Sequence, residues 1–312
     1  MSFKRITVIG GGVLGSQIAF QSAFKGFDVT IYMRSEASIG RSKPKFDRWK
    51  AIYTADLEAA KTSGGPVARG YSDNYEHISA EECERLLADV EKAYVSLKFE
   101  TDLAKSLEDA DLVIEALSEN LGQKQEFYAK AAPLLPEKTV VVSNSSTLLP
   151  SLMAPFTGRP EKFLALHFAN EIWANNLAEV MGHAGTNPAC FEQVYEFALQ
   201  IGMIPVRVKK EQPAYLLNTQ LVPIAFAAAG LVANEVADPA DVDKAWTLGT
   251  GSGVGILHFL DIVGMDTVYN IGLMMPGADD PDSLQYKTNA MLKKMIDEGR
   301  TGTNAGEGFF KY

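Results

Sequence analysis

Apolar positions in the first two thirds of the chain alternate between short unbroken runs and longer stretches of helical spacing. Residues 5–9 (RITVI) form an apolar run that stops at Gly10-Gly11-Gly12. Residues 13–25 follow with Val13, Ser16, Ile18, Ala19 and Ala23 at helical spacing, and residues 28–33 (DVTIYM) return to a β-branched run. Strand, glycine turn, helix and strand form a βαβ unit, which implies parallel strands and a right-handed crossover. Residues 36–97 are mostly helical, with a break at Ser63-Gly64-Gly65-Pro66, and Ser79-Ala80-Glu81-Glu82 has the pattern of a capping box. Further strands are predicted at 110–117, 139–142, 163–167, 177–181 and 204–208, with helices over about 120–132 and between the last two strands. After Glu211-Gln212-Pro213 the pattern is helix or loop to about residue 298, followed by a turn-rich tail that ends in Phe309-Phe310-Lys311-Tyr312. The fold class expected is α/β: a Rossmann-type doubly wound sheet with a helical insert over residues 1–210, then an all-α domain over 211–312.

Composition narrows the function classes. The chain has 312 residues and a formal net charge of −10, which disfavours non-specific binding to nucleic acid or an anionic membrane. Two cysteines, Cys83 and Cys190, make no disulfide framework. The four histidines show no HExxH spacing, so no metal is expected. The N-terminus reaches glycines too soon for a signal peptide, and the apolar run Leu221 to Ala233 is too short to span a bilayer. A cytoplasmic location is expected.

Gly10, Gly12 and Gly15 make a G-x-G-x-x-G pattern after one strand and before a helix. In that context the first glycine allows a tight turn, the second lets the backbone approach a pyrophosphate, and the third lets helix and strand pack closely. The helix N-terminus supplies free N–H groups to the phosphates. An acid at the end of the second strand would bind the ribose of NAD, but Met33 stands there, followed by Arg34 and Ser35. Arg34 and Ser35 can hold a 2′-phosphate, which points to NADP rather than NAD. The alternatives are a solvated arginine and a slipped register in which Glu36 serves the ribose.

Small polar residues Ser143-Asn144-Ser145-Ser146-Thr147 follow the strand TVVV, at the end where ligands bind in such sheets. His167 and Asn170 end the next strand, and Glu179 lies within the one after it. A histidine after an apolar strand can be purely structural; with a carboxylate on the adjoining strand it is a candidate acid/base pair.

These motifs, with PAYLLN, GTGSGVG, DIVGMD and the terminal GEGFFKY, resemble the 3-hydroxyacyl-CoA dehydrogenase family over nearly the whole chain, in wording closest to its diketoreductase and 3-hydroxybutyryl-CoA dehydrogenase-like members. The resemblance implies an NAD(P)-dependent oxidoreductase that moves a hydride at C3 of a 3-hydroxy or 3-oxo substrate, with fatty acid metabolism as the family setting. It carries catalytic roles to Ser146, to His167 at a spacing of 21, to Glu179 12 residues further on, and to Asn218. It carries cofactor contacts to Gly10, Gly12, Val13, Leu14 and Gly15, and to Glu119, Lys124 and Asn144. Asn170, with Ser146 and Asn218, would face the substrate. The all-α domain resembles a dimerisation domain, so a homodimer is expected.

Three departures favour a small non-CoA substrate such as a diketo or sugar acid. Trp49 and Asp56 stand where acyl-CoA members carry a serine and a lysine, Asn304 stands near a family lysine, and Ala214 replaces the glycine of Pro-Gly-Phe. An acyl-CoA remains open. A non-catalytic dinucleotide-binding or crystallin-like protein is the reading from another class.

Overall fold

The computed structural model describes residues 3–312, and the chain divides into two compact units between Leu216 and Leu217. In the first unit the strands are β1 (Arg5–Ile9), β2 (Asp28–Tyr32), β3 (Lys98–Glu100), β4 (Leu112–Glu115), β5 (Val140–Ser143), β6 (Phe163–Phe168), β7 (Leu177–Met181) and β8 (Ile204–Val208). They form one sheet in the order β3-β2-β1-β4-β5-β6-β7-β8. Every neighbouring pair is parallel except β6 and β7. β4, β5 and β6 are buried along their whole length, as strands covered on both faces must be.

The parallel strands bring their C-terminal ends to one edge, so the segments after β1, β2, β4 and β5 meet there. Helix α1 (Val13–Phe24) leaves the glycine turn and is buried from Gly15 to its end, which explains its lack of an apolar stripe. The helical insert is α2 (Glu36–Ser63) and α3 (Ala80–Ser96), with α2 closed by Gly64 in the left-handed region. Ser79 caps α3 by accepting from the Glu82 N–H. The reciprocal half of the capping box is absent: the Glu82 carboxylate accepts from Ser72 Oγ instead. Three further helices, α4 (Leu103–Leu107), α5 (Leu121–Ala131) and α6 (Pro188–Gln200), complete the unit.

Two features depart from expectation. β3 was not foreseen, because three residues at a sheet edge carry no readable period. The reversal of β7 was not foreseen either, since a strand's side-chain alternation reads the same in both directions.

The insert places Trp49 in the core and leaves Asp56 exposed. Trp49 is buried against Trp173 and donates its indole N–H to Ser16 Oγ, while Asp56 accepts from the Tyr71 hydroxyl. Asp56 is therefore tied to a neighbouring phenol, and Trp49 belongs to the core.

The second unit contains α7 (Leu217–Ala233), α8 (Pro239–Thr250), α9 (Ile256–Val263), α10 (Met265–Gly272) and α11 (Leu284–Asp297). Phe226, Leu257, Leu260, Met265 and Leu292 form its core. Asp261, 1% exposed, ties down the tail: it accepts from the N–H groups of Phe309 and Phe310 and from the Tyr312 hydroxyl. No helix among the described residues is long and apolar enough to cross a membrane.

The predicted boundary at 210/211 falls slightly before the division seen. Residues up to Leu216 stay with the sheet because Tyr215 bonds to the Ser145 carbonyl and Leu216 N–H to Glu179.

Candidate active site

The turn after β1 has the shape that a dinucleotide cradle needs. Gly10 has φ +100°, where a side chain is strained, and a Cβ there would meet the Ala116 carbonyl oxygen at 2.9 Å. A Cβ on Gly15 would collide with the Gly10 carbonyl oxygen, so the close turn-to-helix approach is available only to glycine. Gly12 caps α1 with no side-chain bond and has open space around its missing Cβ. The N–H groups of Val13, Leu14 and Gly15 thus open the helix without a protein cap, which suits a phosphate group.

After β2, Met33 is buried and its sulfur lies under Gly11, where a Cβ would meet it at 2.8 Å. Arg34 is exposed. Ser35 caps α2 by accepting from the Ser38 N–H, its hydroxyl lies 3.0 Å from that of Ser38, and Arg41 donates to Ser38 Oγ at 2.9 Å. Ser38 and Arg41 extend the predicted pair Arg34 and Ser35. They lie one helical turn on, a spacing that a scan of the strand end alone does not cover.

Glu115, at the end of β4, organises a buried polar cluster. Its Oε1 accepts from Lys124 Nζ at 2.5 Å and from the Leu117 N–H; its Oε2 accepts from the hydroxyls of Tyr128 and Ser143. Glu115 and Lys124 are both fully buried, so each depends on the other for compensation. Lys124 therefore lies beneath the surface, 3.9 Å from Glu119 Oε2. Glu119 in turn accepts from Ser145 Oγ and from the N–H and hydroxyl of Thr147. Glu115 and Tyr128 were missed from sequence, and Ser143 was read only as part of the polar run after β5; the only signal for the cluster was a glutamate closing an otherwise apolar strand.

Burial pushes the Glu119 carboxyl up, but hydrogen bonds from Ser145 and Thr147, with Lys124 nearby, outweigh it and hold the group below its ordinary value. A carboxyl depressed by folding stabilises the fold above its unfolded value, and that contribution fades as pH falls through the lower folded value. The melting temperature of wild type should exceed that of Glu119→Gln at neutral pH. The gap should shrink below about pH 4.5, the ordinary glutamate value. A gap that stays constant in a pH series of thermal melts would refute this.

β5 delivers the serine segment. Asn144 accepts through Oδ1 from the Phe168 N–H and donates its own N–H to the Glu115 carbonyl, so it stitches β5 to its neighbours. Asn170 is exposed at the start of the loop beyond β6, its carbonyl accepting from Asn175.

His167 and Glu179 sit directly opposite each other across the antiparallel β6–β7 pair. The histidine is 5% exposed and the glutamate fully buried. Nδ1 lies 2.9 Å from Glu179 Oε2, and Nε2 lies 3.1 Å from Ser146 Oγ. A carboxylate only accepts, so Nδ1 donates to it and Nε2 keeps a lone pair for the Ser146 hydroxyl. Serine, imidazole and carboxylate thus stand in line, with Nε2 facing a partly open hydroxyl. Asn218 lies in the helical unit, in the first turn of α7.

Ala214 and Tyr215 have φ of +62° and +53°, consecutive left-handed residues without a glycine. Such a conformation costs a side chain roughly 1–2 kcal/mol. Because glycine is also more flexible when unfolded, Ala214→Gly should stabilise by only about 0.5–1 kcal/mol. Calorimetry should show a small rise in melting temperature, and a fall would contradict the strain assigned here.

Comparison with known proteins gives a consistent result. The 3-hydroxyacyl-CoA dehydrogenase NAD binding domain matches residues 5–212, and the C-terminal domain of the same family matches residues 215–312. The human mitochondrial hydroxyacyl-coenzyme A dehydrogenase is 32% identical over 311 residues, 99% of this chain and 91% of that protein. A 3-hydroxybutyryl-CoA dehydrogenase of Clostridioides difficile is 27% identical over 308 residues, 99% of each chain. Among solved structures, a diketoreductase with substrate-directed dual catalysis of dicarbonyl compounds is 42% identical with a TM-score of 0.86, covering 100% of both chains. FadB2 of M. tuberculosis is 29% identical with a TM-score of 0.77, again over 100% of both chains.

Proposed function

The chain belongs to the 3-hydroxyacyl-CoA dehydrogenase family and is an oxidoreductase with that family's NAD-binding domain, and from that premise we propose that His167, Glu179 and Ser146 handle the proton of a reaction at C3 of a 3-hydroxy or 3-oxo substrate. Hydride acceptance and donation are the chemistry that a nicotinamide supplies when bound. His167 Nε2 takes the hydroxyl proton during oxidation and returns it during reduction. Glu179 keeps the Nδ1–H tautomer and stabilises the ring when it is charged. Ser146 holds the reacting oxygen in line with Nε2. The residues before α1 and after β2 hold the dinucleotide. The observation that carries this reading is the line from Glu179 through His167 to Ser146 at 2.9 and 3.1 Å.

For the coenzyme we favour NADP: Met33 offers the ribose no carboxylate, while Arg34, Ser35, Ser38 and Arg41 gather donors and positive charge at the start of α2. For the substrate we favour a small 3-oxo or 3,5-dioxo acid or ester over an acyl-CoA. The stand-in of Trp49 and Asp56 for a serine and a lysine of acyl-CoA members, and the diketoreductase likeness, support this. Initial rates with acetoacetyl-CoA and with an uncharged 3-oxo ester, each with NADH and NADPH, test all three levels. Faster turnover of the ester with NADPH is expected. Preference for acetoacetyl-CoA would overturn the substrate choice, and no turnover in any of the four would overturn the reaction.

The helical unit exposes Leu248 and Met274 at 77% and 76%, consistent with a surface that a second copy covers. Sedimentation should give twice the chain mass; a monomer would refute the homodimer.

A further inference from the structure

We propose that Tyr215 is a positioning residue for the proton-handling histidine, its ring setting the plane of the His167 imidazole; this rests on the role given to His167 above. The two rings lie face to face, with centroids 4.5 Å apart and planes within 13°. Hydrogen bonds at Nδ1 and Nε2 fix where the two nitrogens lie, but χ2 of a histidine has a broad minimum, so they do not by themselves fix the plane of the ring. A flat partner on the ring face fixes that plane. The same face is well placed when the imidazole gains its proton, since an aromatic face attracts a cation.

Tyr215 is 1% exposed, so water does not compete for the stacked face. Its hydroxyl donates to the Ser145 carbonyl at 2.8 Å, one residue before the serine that meets Nε2. The next residue, Leu216, donates its N–H to Glu179 Oε1 at 2.8 Å, while Oε2 of the same carboxylate faces Nδ1. One short segment therefore touches the serine loop, the imidazole and the carboxylate. It does so in the left-handed conformation of Ala214 and Tyr215, a departure from relaxed backbone of the kind that gathers at functional sites. Burial pushes the Tyr215 phenol well above its ordinary value, so it stays a neutral hydrogen-bond donor to the Ser145 carbonyl.

The test compares Tyr215→Phe, Tyr215→Leu and His167→Gln in the full-length chain. Phenylalanine keeps the stack and loses only the bond to Ser145, so kcat should stay within about threefold of wild type. Leucine removes the flat partner, and kcat should fall at least about tenfold while KM for the dinucleotide moves less than about twofold; misplacing a reacting group by an ångström is enough for such a loss. Equal losses in the two variants, wild-type turnover in Tyr215→Leu, or a rise in KM that matches the fall in kcat would each overturn the proposal. His167→Gln separates the layers. If it alone is inactive and Tyr215→Leu is not, only the positioning role fails; if it keeps turnover, the reading beneath fails as well. Should the leucine variant not fold, NMR of wild type and Tyr215→Phe decides: the His167 ring protons must show the upfield shift of a stacked aromatic, and its absence overturns the stack.

Discussion

Replacing His167 by glutamine is expected to lower kcat by at least ~100-fold, the usual scale for a positioned acid or base, with dinucleotide affinity nearly unchanged. Glutamine is close in size and can donate to Glu179, so the buried carboxylate keeps a partner and the β6–β7 pair stays closed. What the variant lacks is an atom that takes up and returns the substrate proton. Glu179→Gln provides the companion result. An amide that offers its N–H to Nδ1 forces the ring proton to Nε2, where it faces Ser146 and blocks the lone pair that the substrate proton needs. Both variants should bind dinucleotide in a fluorescence titration and fail in turnover. Wild-type kcat in His167→Gln would remove the histidine from the mechanism.

The glycine turn, the βαβ unit and the change to helices after residue 213 were legible in the sequence because each depends on local chemistry. A strand that stops at glycine, or a period that changes from two to nearly four, is written in neighbouring residues. The His167–Glu179 pairing was legible only as adjacency. Its geometry depends on β7 running against β6, and that places the two residues in direct register. The Glu115–Lys124 cluster was harder still. It joins β4, α5 and β5, and Glu115 looks like the polar end of an apolar run until Lys124, Tyr128 and Ser143 converge on it. Tyr215 was hidden for a related reason: the sequence shows a departure from Pro-Gly-Phe at Ala214, but only the fold brings the next ring onto the imidazole. Local rules thus located the crevice, while contacts distant in sequence set the orientation of the groups within it.

The proposed NADP preference leads to the second large effect, a reversal of that preference in Met33→Asp/Arg34→Ala. In wild type, Met33 packs under Gly11, and Arg34 stands exposed beside the capped start of α2. Charge-assisted hydrogen bonds are worth about 1.5–3 kcal/mol, so losing Arg34 should cost NADPH roughly tenfold to a hundredfold in kcat/KM. An aspartate at position 33 would add repulsion to a 2′-phosphate and accept from a 2′-hydroxyl, favouring NADH by about another tenfold. The ratio of the two kcat/KM values should therefore swing by about a hundredfold to a thousandfold, most of it in KM, because both side chains follow β2, four strands away from β6 in the sheet. Arg34→Ala alone should weaken NADPH and leave NADH within about twofold, since an arginine that holds only a 2′-phosphate has nothing to hold in NADH. If Arg34→Ala weakens both coenzymes equally, the guanidinium serves the shared pyrophosphate or adenine, and Ser38 and Arg41 lose their claim as its partners. If wild type already prefers NADH, then Glu36 or the backbone serves the ribose despite Met33.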